Sequence, residues 1–213
     1  MFGAHGLGCI RGDRAVFAGV ELALNPGEAR VLTGPNGSGK SSLLRMLAGL
    51  LEPASGGLRW RGEDVREAPE AHRGRLHYLG HHNAVKSALS VRENLMTWAA
   101  LRGGGKDEVD AALAAFDLAD LTDIPGRMLS SGQTRRLALA RLRAAPAPLW
   151  LLDEPGVGLD AAALRRLAGV MAEHRAAGGM VVAATHQDLG LPDAPRLSMD
   201  AYPPAALPEM AVW

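Results

Sequence analysis

The sequence predicts an α/β fold in which a parallel sheet, covered by helices on both faces, is interrupted by a helical insertion. Two observations carry this. Leu149–Leu152 and Met180–Ala184 are unbroken apolar runs of strand length separated by an Ala-rich helical stretch, as expected of strands buried on both faces. From roughly residue 84 to residue 145, strand signals give way to apolar residues at helical spacing.

Short β-like runs dominate the first sixty residues. Val20–Leu24 alternates in polarity and is closed by the turn Asn25–Pro26–Gly27, and Ala29–Thr33 is a short apolar run. Leu43–Leu51 reads as a helix stopped near Gly49 and Pro53. Gly56–Arg61 and Leu76–Leu79 are further strands. Ser90 with Glu93 makes a capping box, and Val91, Leu95, Trp98 and Ala99 follow at helical spacing. Gly103–Gly105 is a loop, after which Asp107 is expected to cap a helix carrying Val109, Ala112, Leu113 and Phe116 on one face. Ser131–Ala144 is a third helix, ended by Pro146 and Pro148. The strand Leu149–Leu152, a helix Ala161–Ala177 ending at Gly178–Gly179, and the strand Met180–Ala184 return to α/β alternation. The expected division is a core of residues 1–83 and 146–213 around a helical part of about 84–145, within one domain of 213 residues.

Composition narrows the function classes. With 47% apolar and 22% charged residues the chain has the material for a core and is not a disordered polymer. Lys+Arg and Asp+Glu both number 23, so overall charge directs it neither to nucleic acid nor to an anionic membrane. Cys9 is the sole cysteine, which excludes an internal disulfide and a cysteine-based zinc cluster. No secretory signal is expected at the N-terminus. No apolar run reaches the roughly 20 residues of a spanning helix, so any membrane role is expected from outside the bilayer.

Three stretches carry chemistry. Gly34-Pro35-Asn36-Gly37-Ser38-Gly39-Lys40-Ser41 matches G-x-x-x-x-G-K-[ST], placed after a strand and before a helix. Its glycines let backbone N–H groups close around phosphates, and the helix N-terminus adds positive potential. Lys40 is expected to reach the β- and γ-phosphates and Ser41 to ligate Mg²⁺, with nucleotide capture residing in Gly34–Ser42. A plain Gly-rich turn does not explain strand, loop, Lys-Ser and helix in that order.

The second stretch is Leu149-Trp150-Leu151-Leu152-Asp153-Glu154, a buried strand ending in carboxylates at the edge where open α/β sheets bind ligands. Asp153 is expected to meet Mg²⁺ through water or from behind its direct ligands, and Glu154 to orient or deprotonate an attacking water. Alone, such a run is equally a strand meeting solvent; downstream of a phosphate loop the catalytic reading is the stronger. The third stretch, Leu129-Ser130-Ser131-Gly132-Gln133, runs into a helix and reads as a second anion cradle. One triphosphate needs one cradle, so the second is expected to serve a nucleotide held by another copy.

The order of these three motifs, with Thr185-His186 after a late buried strand, resembles the ABC-type ATPase family over nearly the whole chain. The resemblance implies a P-loop NTPase core of ABC type with an antiparallel β part and an inserted helical subdomain. It implies ATP and Mg²⁺ as ligands and a head-to-tail dimer with ATP between the P-loop of one copy and Ser130, Ser131, Gly132 and Gln133 of the other. His186 is then expected at the γ-phosphate and Asp160 in the loop that communicates across the dimer.

Two positions depart from the family pattern. His81, in Tyr78-Leu79-Gly80-His81, stands where the family places a Gln that touches Mg²⁺ and the membrane subunit. Arg11, in Ile10-Arg11-Gly12-Asp13, stands where an aromatic ring stacks on adenine, and a guanidinium plane also stacks on a base. With Lys86 and Leu89-Ser90-Val91-Arg92-Glu93-Asn94-Leu95, these departures resemble one branch, the ATPase subunits of cytochrome c maturation systems, described as haem exporters. Leu129–Leu142, Leu149–Pro155 and Thr185-His186-Gln187 resemble the same branch. Two segments do not: His82-Asn83-Ala84 replaces a Pro/Gly-containing stretch, and Gly156-Val157-Gly158 is unusually glycine-rich.

That branch implies integral membrane partners, a peripheral position on the cytoplasmic side of the inner membrane, and no nucleic-acid partner. Direct haem binding is not expected, because no Cys-x-x-Cys-His is present. His81-His82 lacks a carboxylate or cysteine at helical ligand spacing, which argues against a dedicated metal site there. Lys86 reads equally as partner-facing or as a plain surface lysine, and Trp60, Trp98, Trp150 and Trp213 read as packing residues. Three rivals stay open: an ABC exporter ATPase for a lipid, drug or peptide; a soluble ABC protein acting on DNA or ribosomes; and a small-molecule kinase, which has no use for Leu129–Gln133.

Overall fold

The computed structural model describes residues 1–204, so the expectation for Trp213 lies outside the described residues. In chain order the main elements are β1 (Phe2–Arg11), β2 (Arg14–Leu24), β3 (Ala29–Thr33), α1 (Lys40–Leu47), β4 (Ser55–Trp60) and β5 (Glu63–Asp64). Next come α2 (Pro69–Gly74), β6 (Leu76–Leu79), α3 (Val91–Ala100), α4 (Lys106–Ala115) and α5 (Ser131–Ala144). The chain continues through β7 (Leu149–Asp153), α6 (Ala161–Ala176), β8 (Met180–Ala184) and β9 (Arg196–Ser198).

Two sheets result. An antiparallel one has the order β2-β1-β4-β5, and a parallel one has the order β6-β7-β8-β3-β9. Alternation in β2 buries Val20, Leu22 and Leu24 and exposes Glu21 and Ala23, the pattern of a sheet with one wet face. Every residue of β7 and β8 is buried, as a central strand under helices requires.

Because successive side chains leave a strand on opposite faces, β7 feeds two cores. Leu149 and Leu151 pack with α1 and the antiparallel sheet. Trp150 and Leu152 pack with residues of α3, α4, α5 and α6, among them Leu95, Leu113, Leu137 and Leu167. The helices between β6 and β7 therefore share a core with one face of the parallel sheet. Phe116, 1% exposed in that core, supports a direct test: Phe116→Ala is expected to cost about 3–5 kcal/mol. The measurement is the urea midpoint of the full chain, and an unchanged midpoint would show that the helices are not bound to the sheet in this way.

Some boundaries differ from expectation. α1 begins three residues before Leu43 and ends at Leu47, because Lys40–Ser42 form a first turn without apolar periodicity and Gly49, at φ 66°, takes the chain out of the helix. Asp107 lies inside the first turn of α4; the cap position is Gly105, whose N–H donates to Glu108 at 2.8 Å. β1, α2 and β9 have no counterpart in the sequence reading. Glycines at 3, 6 and 8 break the polarity pattern of β1, and β9 is only three residues long.

Candidate functional site

All strands of the second sheet run the same way, so the segments following β3, β6, β7 and β8 emerge at one carboxyl edge, where open parallel sheets bind ligands. His81, Glu154 and His186 lie on these segments, Asp153 ends β7 at the same edge, and Ser41 stands in the first turn of α1.

The segment after β3 is Gly34–Gly39, and α1 opens directly behind it. Gly39 has φ 97°, and a Cβ there would fall 2.6 Å from the Phe17 ring, so only glycine permits this entry into the helix. No side chain caps α1, which leaves its first-turn N–H groups to an anion. Lys40 is buried, and its ammonium donates to the carbonyls of Gly34 at 2.6 Å and Pro35 at 2.9 Å, fixing the cation against the loop. Pro35, Asn36 and Gly37 form the outer part of the loop, while Ser38, Ser41 and Ser42 are half-buried. Ser42 also meets the buried Cys9 thiol, which burial raises above its ordinary pKa.

Register sets the carboxylates beside the histidines. Leu79 pairs with Leu152 and Asp153 with Ala184, so the residues after β6 and β8 flank the end of β7. His81 Nε2 lies 3.5 Å from Asp153 Oδ2, and His186 Nε2 lies 3.7 Å from Glu154 Oε1. Asp153 is 1% exposed, yet its Oδ2 has no hydrogen-bond partner. A buried acceptor left in that condition costs free energy unless a cation or ordered donor meets it. Among the described residues no three His, Cys, Asp or Glu side chains form a cage. The unpartnered carboxylate oxygen of Asp153 fits Mg²⁺, which is commonly held by one or two carboxylates together with substrate phosphates.

Glu154 has φ 46°, a left-handed conformation rare for a residue with a Cβ. Its N–H donates to the Ala184 carbonyl at 2.9 Å and its carbonyl accepts from Arg135 at 2.7 Å. The turn sets its carboxylate beside His186 after β8.

Ser130 caps α5: its hydroxyl accepts from Gln133 N–H at 3.2 Å, and the Gln133 side chain accepts from Ser130 N–H at 2.8 Å. The hydroxyl proton of Ser130 and the N–H groups of Ser131 and Gly132 remain as donors. Gly132 faces the Gly158 carbonyl, joining this helix start to the segment after β7. Asp160 caps α6 by accepting from Ala163 N–H at 2.7 Å. A Cβ at Gly156 would run into the Gln187 amide, which accounts for one of the glycines in Gly156-Val157-Gly158. Ala84 takes φ 53°, where a glycine would be the easier residue. Arg11 is exposed at the end of β1, paired with Arg14 across the hairpin.

Sequence reasoning missed Arg135. It is 6% exposed and donates to the carbonyls of Asp153, Glu154, Pro155 and Gly80 and to Asn83 Oδ1. Its only sequence signal is its place two residues after Gln133, where paired arginines look like a solvated helix face.

Residues 17–157 match the ABC transporter family model. The chain is 58% identical over 204 residues to the cytochrome c biogenesis ATP-binding export protein CcmA of Rhodospirillum rubrum, spanning 96% of this chain and 88% of that protein. It is 59% identical over 205 residues to the protein of the same description in Paramagnetospirillum magneticum, spanning 94% of each. A solved putative ABC transporter ATP-binding protein from Pyrococcus furiosus superposes with TM-score 0.83 at 24% identity, covering 95% of this chain and 98% of that one. Clostridium perfringens cbiO1, described as part of the ABC transporter complex cbiONQ, gives TM-score 0.73 at 26% identity over 87% of this chain and 78% of that one.

Proposed function

We propose, from the premise that this chain belongs to the ABC transporter family, that it hydrolyses ATP to drive a membrane complex of cytochrome c maturation. The observation that carries the hydrolytic reading is the meeting of Asp153, Glu154, His81 and His186 at one sheet edge shared with an uncapped phosphate-loop helix. ATP binding follows from family membership; the division of labour among the residues is our proposal.

Gly34–Ser42 hold the phosphates, with loop and helix N–H groups donating to oxygens and Lys40 neutralising charge on the β- and γ-phosphates. Ser41 and Asp153 hold Mg²⁺, with His81 beside Asp153. When bound, the ion supplies charge neutralisation on the phosphate oxygens. Glu154 orients the attacking water and takes its proton, and His186 holds the γ-phosphate in line. Arg11 stacks on the base. A second copy approaches head to tail, so that its Ser130–Gln133 closes on the first copy's ATP, with Asp160 beside that interface. Residues of about 84–145 form the helical subdomain, inserted between the two parts of the core.

The cargo assignment rests on the relatives, both named for cytochrome c biogenesis and export; no feature of the chain favours a lipid, drug or peptide instead. No helix among the described residues is long and apolar enough to cross a membrane. In this reading integral subunits cross the bilayer and carry any haem contact, and this chain sits at the cytoplasmic face of the inner membrane. The loop from His81 to Leu89 is the partner-facing segment. Asn94 organises it, accepting from Lys86 N–H and donating to the carbonyls of Lys86, Leu89 and Ser90.

The test uses cells lacking their native subunit and scores c-type cytochrome formation. His81→Ala is expected to lower ATPase activity and His81→Gln to restore a substantial part, since an amide keeps a polar side chain with both a donor and an acceptor beside Asp153. Exchanging His81–Leu89 for the loop of an unrelated exporter is expected to leave ATP binding intact and abolish cytochrome formation. If the unaltered chain never supports maturation alongside its own genomic membrane partners, the cargo assignment fails while the ATPase survives.

A further inference from the structure

β6 is one of the two edge strands of the parallel sheet. Its neighbour β7 uses the odd-numbered side, beginning with Leu149 N–H on the Arg75 carbonyl. The carbonyls of Gly74, Leu76, Tyr78 and Gly80 accept instead from three arginines of the helical part. Arg102 serves Gly74 and Leu76, Arg141 serves Tyr78 at 2.6 Å, and Arg135 serves Gly80 at 3.3 Å. An unpaired edge is costly inside a protein, and these guanidinium groups satisfy it.

Arg135 differs from the other two. It sits where β6 and β7 end side by side, and its planar fork spans both: Gly80 O and Asn83 Oδ1 on one strand's exit, Asp153 O, Glu154 O and Pro155 O on the other's. Burial draws this guanidinium below the ordinary arginine value, and the Asp153 and Glu154 carboxylates oppose that. The bond to Glu154 falls on the residue held at φ 46°. Such a conformation persists only where its surroundings over-determine it.

We propose that Arg135 is a positioning residue for hydrolysis: it locks the left-handed turn that aims Glu154 and ties that turn to the helix beginning at Ser130. It rests on the reading of Glu154 as the group that activates water. Because Arg135 rides in the second turn of α5, displacement of the Ser130–Gln133 end is felt at Glu154 of the same chain. Engagement of one ATP site by α5 thereby reports to the catalytic carboxylate of the other. Lysine offers three donors from one point and does not reproduce the fork.

The test compares R135K, R135Q and R102Q in the full chain by steady-state ATPase kinetics with Mg-ATP, together with denaturation midpoints. R102Q removes a rung of the same edge without touching the Asp153–Pro155 turn, and is expected to lower the midpoint with kcat retained. R135Q and R135K are expected to lower kcat by about 100-fold, the scale of an ångström-sized misplacement, with KM for ATP little changed. R135K keeps a buried cation, so it carries the test should R135Q fail to fold. A kcat for R135K equal to that of the unaltered chain, or a rise in KM alone, overturns the proposal. An unaltered chain that binds Mg-ATP without hydrolysing it overturns the functional reading and the proposal with it.

Discussion

Glu154→Gln is expected to slow ATP turnover by roughly 10²–10⁴-fold while leaving ATP binding in place. The amide matches the carboxylate in shape and keeps the backbone bonds to Arg135 and Ala184, which use the main chain of residue 154. It has no basic oxygen to take a proton from water. The loss corresponds to about 3–5 kcal/mol of transition-state stabilisation, at roughly 1.4 kcal/mol per tenfold. Lys40 and the Gly34–Ser42 loop are untouched, so ATP stays bound and the two copies stay closed around it. The ATP-dependent dimer is expected to persist on gel filtration, where the unaltered chain returns to its starting state after hydrolysis. Near-normal steady-state activity of the variant in the assembled complex would remove Glu154 from this role.

Pairing two defective chains is expected to restore activity that neither has alone. Lys40→Ala removes the cation that donates to Gly34 and Pro35 in the phosphate loop. Ser130→Arg removes the cap of α5 and sets a bulky cation at the helix start, where it also opposes the dipole. Each homodimer then carries both its sites damaged. In a two-fold head-to-tail dimer, Lys40 and Ser130 of one chain serve opposite sites. The mixed dimer therefore gathers the altered Lys40 loop and the altered Ser130 segment at one site and leaves the other intact. Activity up to about half that of the unaltered dimer is expected if sites act independently. Co-expressed, differently tagged chains purified as heterodimers provide the sample. Mixed dimers as inactive as their parents, together with no ATP-dependent crosslink between the Lys40 loop and the Ser130 loop of different chains, would sink the arrangement.

Local features were legible in the residues alone. Gly34–Ser41 follows a strand and enters a helix as its pattern requires, Ser90 caps its helix through Glu93 three positions on, and the strands at Leu76 and Met180 begin and end where the sequence reading put them. In each case the decisive contacts lie within a few residues, so composition and spacing report them. The α1 boundary was misplaced because a phosphate loop's first helical turn is polar by function, and polarity hides periodicity. Asp107 resembled a cap, but Glu108 bonds the Gly105 N–H and the helix starts one residue earlier than Asp107.

Sequence by itself determined the class of fold, the family, and the candidate residues for holding and cleaving a triphosphate. These rest on motifs whose chemistry is local: glycine freedom, a lysine, and a strand ending in carboxylates. Tertiary structure alone decided which side chains meet. His81 reaches Asp153, from the far side of the helical part, because β6 and β7 pair in parallel register. Glu154 adopts a left-handed turn because the chain must leave β7 while bonded to β8. Arg135, an unremarkable basic residue in the string, becomes the group joining two strand ends to a helix because the edge carbonyls of β6 have no neighbouring strand. Pairing, handedness and edge satisfaction depend on residues far apart in the chain, and a one-dimensional pattern carries no record of them.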